Sequence, residues 1–168
     1  MKDPYYYDTI NILRGENMSG FIAIASSKEL VLPDEIQAYY DKGLFDVPNK
    51  SFSLSKLDEW EEEGVKLAFT MPYIYRAGGI GDEHFWLYIE KYMEIGDHLE
   101  IISVPNQRYV YEHVTKILEQ PERININTGS LTYENHLGCF LLPVKHWVDD
   151  LKHRTLYTDR GITTIVKY

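Results

Sequence analysis

Apolar residues along this chain follow two spacings, and the places where one gives way to the other mark its elements. Short apolar runs of strand length are "GFIAIAS" at 20–26, "HLEIISVP" at 98–105, "GCFLLPV" at 138–144 and "GITTIVKY" at 161–168. Helical spacing is clearest in "DEHFWLYIEKYMEIG" at 82–96, where Phe85, Ile89 and Tyr92 fall on one face and Gly96 closes the segment. "QRYVYEHVTKILEQP" reads as a helix stopped by Pro121, and "KHWVDDLKH" as a shorter one. "LPDEIQAYYDKG" predicts a helix opened by Pro33 and Asp34 and ended by Gly43, followed by a loop around Pro48. "SLSKLDEWEEEG" predicts another, with Ser55, Asp58 and Glu59 at its start and Gly64 as its stop. "VKLAFTMPYIY" follows as a strand interrupted by Pro72, which assigns it to an edge or a bulge. "RININTGSLTYEN" predicts a hairpin turning at Thr128 and Gly129.

Helix–strand units mixed with a hairpin predict an α+β fold with a mixed or mainly antiparallel sheet and helices packed on it. No Pro-, Gly- or Ser-rich linker divides the chain, so residues 1–168 are assigned to one domain, with the tyrosine-bearing residues 1–10 as a docking arm. Two stretches, "WEEEGVKLAFTMP" and "YMEIGDHLEIISVP", repeat the order helix end, glycine, strand, proline. A glycine at a helix C-terminus accounts for that without a solenoid.

Composition adds little to the fold but narrows the function. With 168 residues, 44% of them hydrophobic and 26% charged, the chain has the profile of a globular domain able to bury a core. Its net charge of −9 is uneven: residues 1–100 hold 9 Lys/Arg against 19 Asp/Glu, and residues 101–168 hold 8 against 7. That acidity, with no basic patch, disfavours contact with a nucleic-acid backbone and suits a basic protein partner. A single cysteine, Cys139, fits a reducing cytoplasm, and no run approaches the roughly 18 apolar residues of a membrane span. Fourteen tyrosines supply large side chains with polar tips, the kind used on half-buried walls and contact surfaces. Tyr5, Tyr6 and Tyr7 form one cluster, and Tyr73 and Tyr75 share a strand face in another.

One stretch, "MPYIYRAGGIGDEHF" at 71–85, has the makings of an anion site: it follows a strand, opens a helix and is rich in glycine. It lacks the Gly-Lys-Ser/Thr of a P-loop and the glycine spacing of a dinucleotide fingerprint. Arg76, Gly79 and Gly81 match the spacing Arg-x-x-Gly-x-Gly. In that respect residues 72–104 resemble the acetyl-CoA loop of the GNAT N-acetyltransferases. The resemblance implies amides around Ala77–Gly81 holding a pyrophosphate, acetyl-CoA as the cofactor and N-acetyl transfer as the activity. Read without it, the stretch is a strand-to-helix turn whose Asp82 and Glu83 already place negative charge at the helix start.

Other candidate chemistry is thin. Cys139 lies in an apolar run, where a thiol behaves as a small buried hydrophobe. His136, Cys139, His146 and His153 have one spacing of metal-ligand type but no second cysteine or paired ligand to support it. "DEWEEEG" reads as a solvated helix face. The sequence thus points to a non-enzymatic cytoplasmic protein that binds a basic protein partner, as inhibitors and immunity-type proteins do. No cofactor or metal is assigned under that reading. An acyl-CoA-dependent transferase is the alternative, and a homo-oligomer with tyrosines buried between copies a third.

Overall fold

The structure is a computed structural model that describes residues 20–32 and 52–168. Tyr5, Tyr6 and Tyr7 with the docking arm 1–10 lie outside the described residues, as do the helix assigned to 32–43 apart from Leu32 and the loop after it apart from Phe52.

β1 (Phe21–Ser26) is a continuous apolar run because both of its faces are covered. Phe21 and Ala23 join one hydrophobic core, and Ile24 joins a second on the opposite side of the sheet. Around it lie β2 (Ser53–Ser55), β3 (Tyr73–Gly78), β4 (His98–Val104), β5 (Glu122–Asn127), β6 (Thr132–Asn135), β7 (Gly138–Leu141) and β8 (Gly161–Val166). They form one sheet in the order β2-β3-β1-β4-β8-β5-β6-β7. Every neighbouring pair is antiparallel except β5 with β8. This is the α+β architecture expected, with a mixed and mainly antiparallel sheet.

Among the described residues four α-helices complete it: α1 (Glu59–Lys66), α2 (Glu83–Tyr92), α3 (Val110–Glu119) and α4 (Trp147–Lys152). α1 and α3 contribute Val65, Val110, Val114 and Ile117 to the core that holds Phe21 and Ala23. α2 and α4 contribute Phe85, Trp86, Ile89 and Leu151 to the other. The helical period read in 82–96 is this second face, where the Phe85 ring meets Phe52 edge-on at 5.3 Å between centroids.

Three boundaries differ from those expected. Residues 53–55 are not the start of a helix but the edge strand β2. It lies close against β3 because Gly78 has no side chain; a Cβ there would sit 2.6 Å from Ser53 Oγ. Gly64 does not stop α1 but lies inside it, where a Cβ would come within 2.7 Å of Val110 Cγ1. The glycine marks a close crossing of α1 and α3. Pro72 precedes β3 instead of interrupting it.

Candidate functional site

The glycine loop joins β3 to α2 as expected, and its glycines have conformational reasons. Gly79 has φ of 67° and Gly81 of 89°, left-handed backbone that side chains other than glycine rarely adopt. Gly81 also faces Leu156, whose Cδ2 would be 3.1 Å from an added Cβ. Asp82 caps the helix: the Phe85 N–H donates to its Oδ1 at 3.0 Å. Its Oδ2 is buried with no hydrogen-bond partner among the described residues. Burial pushes the Asp82 carboxyl above its ordinary range, while the Phe85 N–H pulls the other way.

Arg76 does not turn toward that loop. Parity along β3 puts Tyr75 and Ala77 on the α2 side and Ile74 on the α1 side. Arg76 follows Ile74, lying 4.9 Å over the Phe21 ring and paired with Glu61 of α1. Glu61 is only 1% exposed. Burial pushes its carboxyl up, opposed by the Arg76 guanidinium. Arg76 and the Gly79–Gly81 backbone therefore serve opposite faces of the sheet and do not converge on one ligand.

Of the tyrosines on β3, Tyr73 is exposed and Tyr75 is half-buried. The Tyr75 hydroxyl accepts the Leu30 N–H at 3.0 Å, which ties it to the fold. Tyr88 is buried deeply enough that its phenol is pushed up to about 12, chiefly by desolvation.

Cys139 is exposed, not a small buried hydrophobe as its apolar run led us to expect. Its run is apolar, but β7 is the last strand of the sheet among the described residues, and all four of its residues are exposed. No group of three or more His, Cys, Asp or Glu side chains able to hold a metal ion occurs among the described residues.

Two features were not singled out by sequence. A shallow cleft of about 450 Å³ beside the start of β5 is lined by Arg123 and Arg160 with Glu122 and Glu134, a balanced charge set. The second feature is the outer face of α1. Asp58, Glu59, Glu62 and Glu63 are exposed, and in their midst Trp60 keeps 44% of its surface in solvent. Leu67, seven residues on from Trp60 and just past the helix end, is exposed as well. With Glu61 turned inward to Arg76, the indole borders an acidic face, with Glu63 one turn on from it and Glu59 and Glu62 further round the helix. A tryptophan inside a run of carboxylates was the available signal, since a merely solvated face gains nothing from it.

No protein-family model, curated protein or solved structure matches this chain. Among the described residues no helix is long and apolar enough to cross a membrane.

Proposed function

We propose that this chain is a non-enzymatic protein-binding module that presents the outer face of α1 to a basic partner. The observation that carries the reading is Trp60, an exposed indole on a helix whose residues before and after it in the chain, Glu59, Glu62 and Glu63, are exposed carboxylates. Tryptophan is enriched among residues that dominate binding energy, and surrounding groups that exclude water raise its contribution. The carboxylates supply the long-range part: an acidic surface on a chain of charge −9 speeds encounter with a basic protein and rejects acidic ones.

The test is capture from cell extract on immobilised wild-type chain, beside Trp60→Ala and Glu62→Lys/Glu63→Lys, at low and high salt. The expected result is a basic protein held by the wild type, lost from both variants and weakened by salt. Trp60→Ala should weaken binding about 30-fold or more, the ~2 kcal/mol that marks a dominant residue. Capture that survives both substitutions, or that ignores salt, would overturn the proposal.

A further inference from the structure

β7 is the opposite of α1: it carries no charge. Gly138, Cys139, Phe140 and Leu141 form one margin of the eight-stranded sheet, and Leu141 keeps 81% of its surface in solvent. Leu137 before the strand and Val144 after it are exposed too. Edge strands are ordinarily protected by lysine, proline or a bulge. None lies within β7, and its register with β6 runs unbroken from Asn135↔Gly138 to Thr132↔Leu141.

The hydrogen-bond parity of this edge is fixed. The Leu142 N–H donates to the Leu131 carbonyl at 2.8 Å, continuing the β6–β7 ladder by one pair. Bonded pairs alternate in an antiparallel ladder. The amides of Gly138, Phe140 and Leu142 therefore face β6, and those of Cys139 and Leu141 face outward. The next outward position is Pro143, which has no N–H to offer.

We infer that β7 pairs with β7 of a second copy, antiparallel about a two-fold axis at Phe140. In this register Cys139 of each copy exchanges hydrogen bonds with the second copy's Leu141, so every outward amide of both strands is used. Shifting the centre by one residue either way leaves one of them unpaired or sets it against Pro143. Phe140 then faces the second copy's Phe140 as a non-bonded pair.

The register selects a second copy as the occupant, because the two outward amides of β7 match those of another β7 and Pro143 limits the slide. Two chains of −9 repel over most of their surfaces, but β7 itself carries no carboxylate. At its rim Arg154 lies 5.1 Å over the Phe140 ring and is paired with Asp150, so the two-fold brings one cation and one anion from each side. Two pairs of ladder bonds and a few apolar side chains make a contact smaller than the ~1,200 Å² lower limit of standard interfaces. The dimer is accordingly concentration-dependent and not obligate.

Sedimentation velocity over a concentration series tests it on the full chain. The wild-type mass should rise from one chain toward two, and Leu141→Lys should remain monomeric with an unchanged circular dichroism spectrum. A second variant tests the register. Phe140→Cys in a Cys139→Ser background places the new thiols opposite each other at a Cα separation of ~4.5 Å, within disulfide reach. It should crosslink with oxidised glutathione as electron acceptor. The wild type should not, because its Cys139 residues are offset by two positions, ~7 Å along the strands. A wild type that stays monomeric at every concentration overturns the inference, as does self-association that Leu141→Lys leaves intact. Crosslinking through Cys139 but not through the variant overturns the register.

Discussion

Arg76 and Glu61 are an ion pair of unequal partners. The Glu61 side chain is 1% exposed and the Arg76 side chain 33%. Removing one partner leaves the other's charge to fend for itself, and the cost depends on how much water it can regain. Glu61→Ala leaves an arginine already one-third in solvent, at an expected cost of about 2 kcal/mol. Arg76→Ala leaves a carboxylate under α1, at an expected cost of about 3–5 kcal/mol. The second deficit depends on pH. Burial already holds the Glu61 carboxyl above its ordinary value of 4.5, and loss of Arg76 raises it further. A raised carboxyl binds its proton more readily in the folded than in the unfolded chain. Its favourable contribution is complete below about 4.5 and is lost as pH rises through the folded value. The Arg76→Ala deficit should therefore shrink on acidification from neutral pH, as read from urea midpoints of both variants and wild type. Equal deficits for the two variants, or a deficit indifferent to pH, would show that the pair is solvated.

At the scale of elements, the crossing of α1 and α3 turns a general rule around. Replacing glycine by alanine inside a helix ordinarily stabilises by about 1 kcal/mol. At Gly64 the new methyl would meet Val110 Cγ1 at 2.7 Å. Overpacking of this kind costs about 1–3 kcal/mol. Gly64→Ala should thus be neutral to destabilising, and Gly64→Ala/Val110→Ala should be more stable than the sum of the two single changes. Additive effects would mean the helices do not touch there. This glycine also shows where the sequence stopped being informative. α2, α3, β4 and β8 were legible because their apolar spacing is a local property. Whether a glycine ends a helix or admits a neighbour depends on what crosses it from another part of the chain, and Gly64 and Gly96 look alike locally. β2 escaped notice because three residues cannot display a period, and its existence depends on pairing with β3. The two faces of β3 were readable by alternation, but not which helix covers each, so Arg76 could be placed beside the loop in sequence and opposite to it in space. Cys139 was misread for the same reason: an apolar run looks the same at the centre of a sheet as at its margin.

The whole molecule is stabilised unevenly. β1 and β4 lie between paired neighbours and are packed by helices on both faces, with Ile24 and Ile101 on one side and Ala23 and Ile102 on the other. Toward β7 the packing thins. Ile124, Ile126 and Tyr133 are buried on the α2 side, but Arg123, Asn125 and Glu134 on the reverse are exposed. Opening free energies should fall along the same direction, since few buried contacts mean low local stability. In dilute solution the amides of Ile24 and Ile101 should exchange with solvent deuterium only through global unfolding. Those of Gly138 and Phe140, bonded to β6, should exchange faster, through local fraying of the hairpin. Those of Cys139 and Leu141 should exchange fastest of all, because no ladder bond protects them. Residue-resolved exchange distinguishes this gradient from uniform protection, which would mean the sheet opens as one unit. Raising the protein concentration sharpens the comparison. Pairing of β7 with a second copy slows Cys139 and Leu141 selectively and leaves the rates at β1 and β4 where they were.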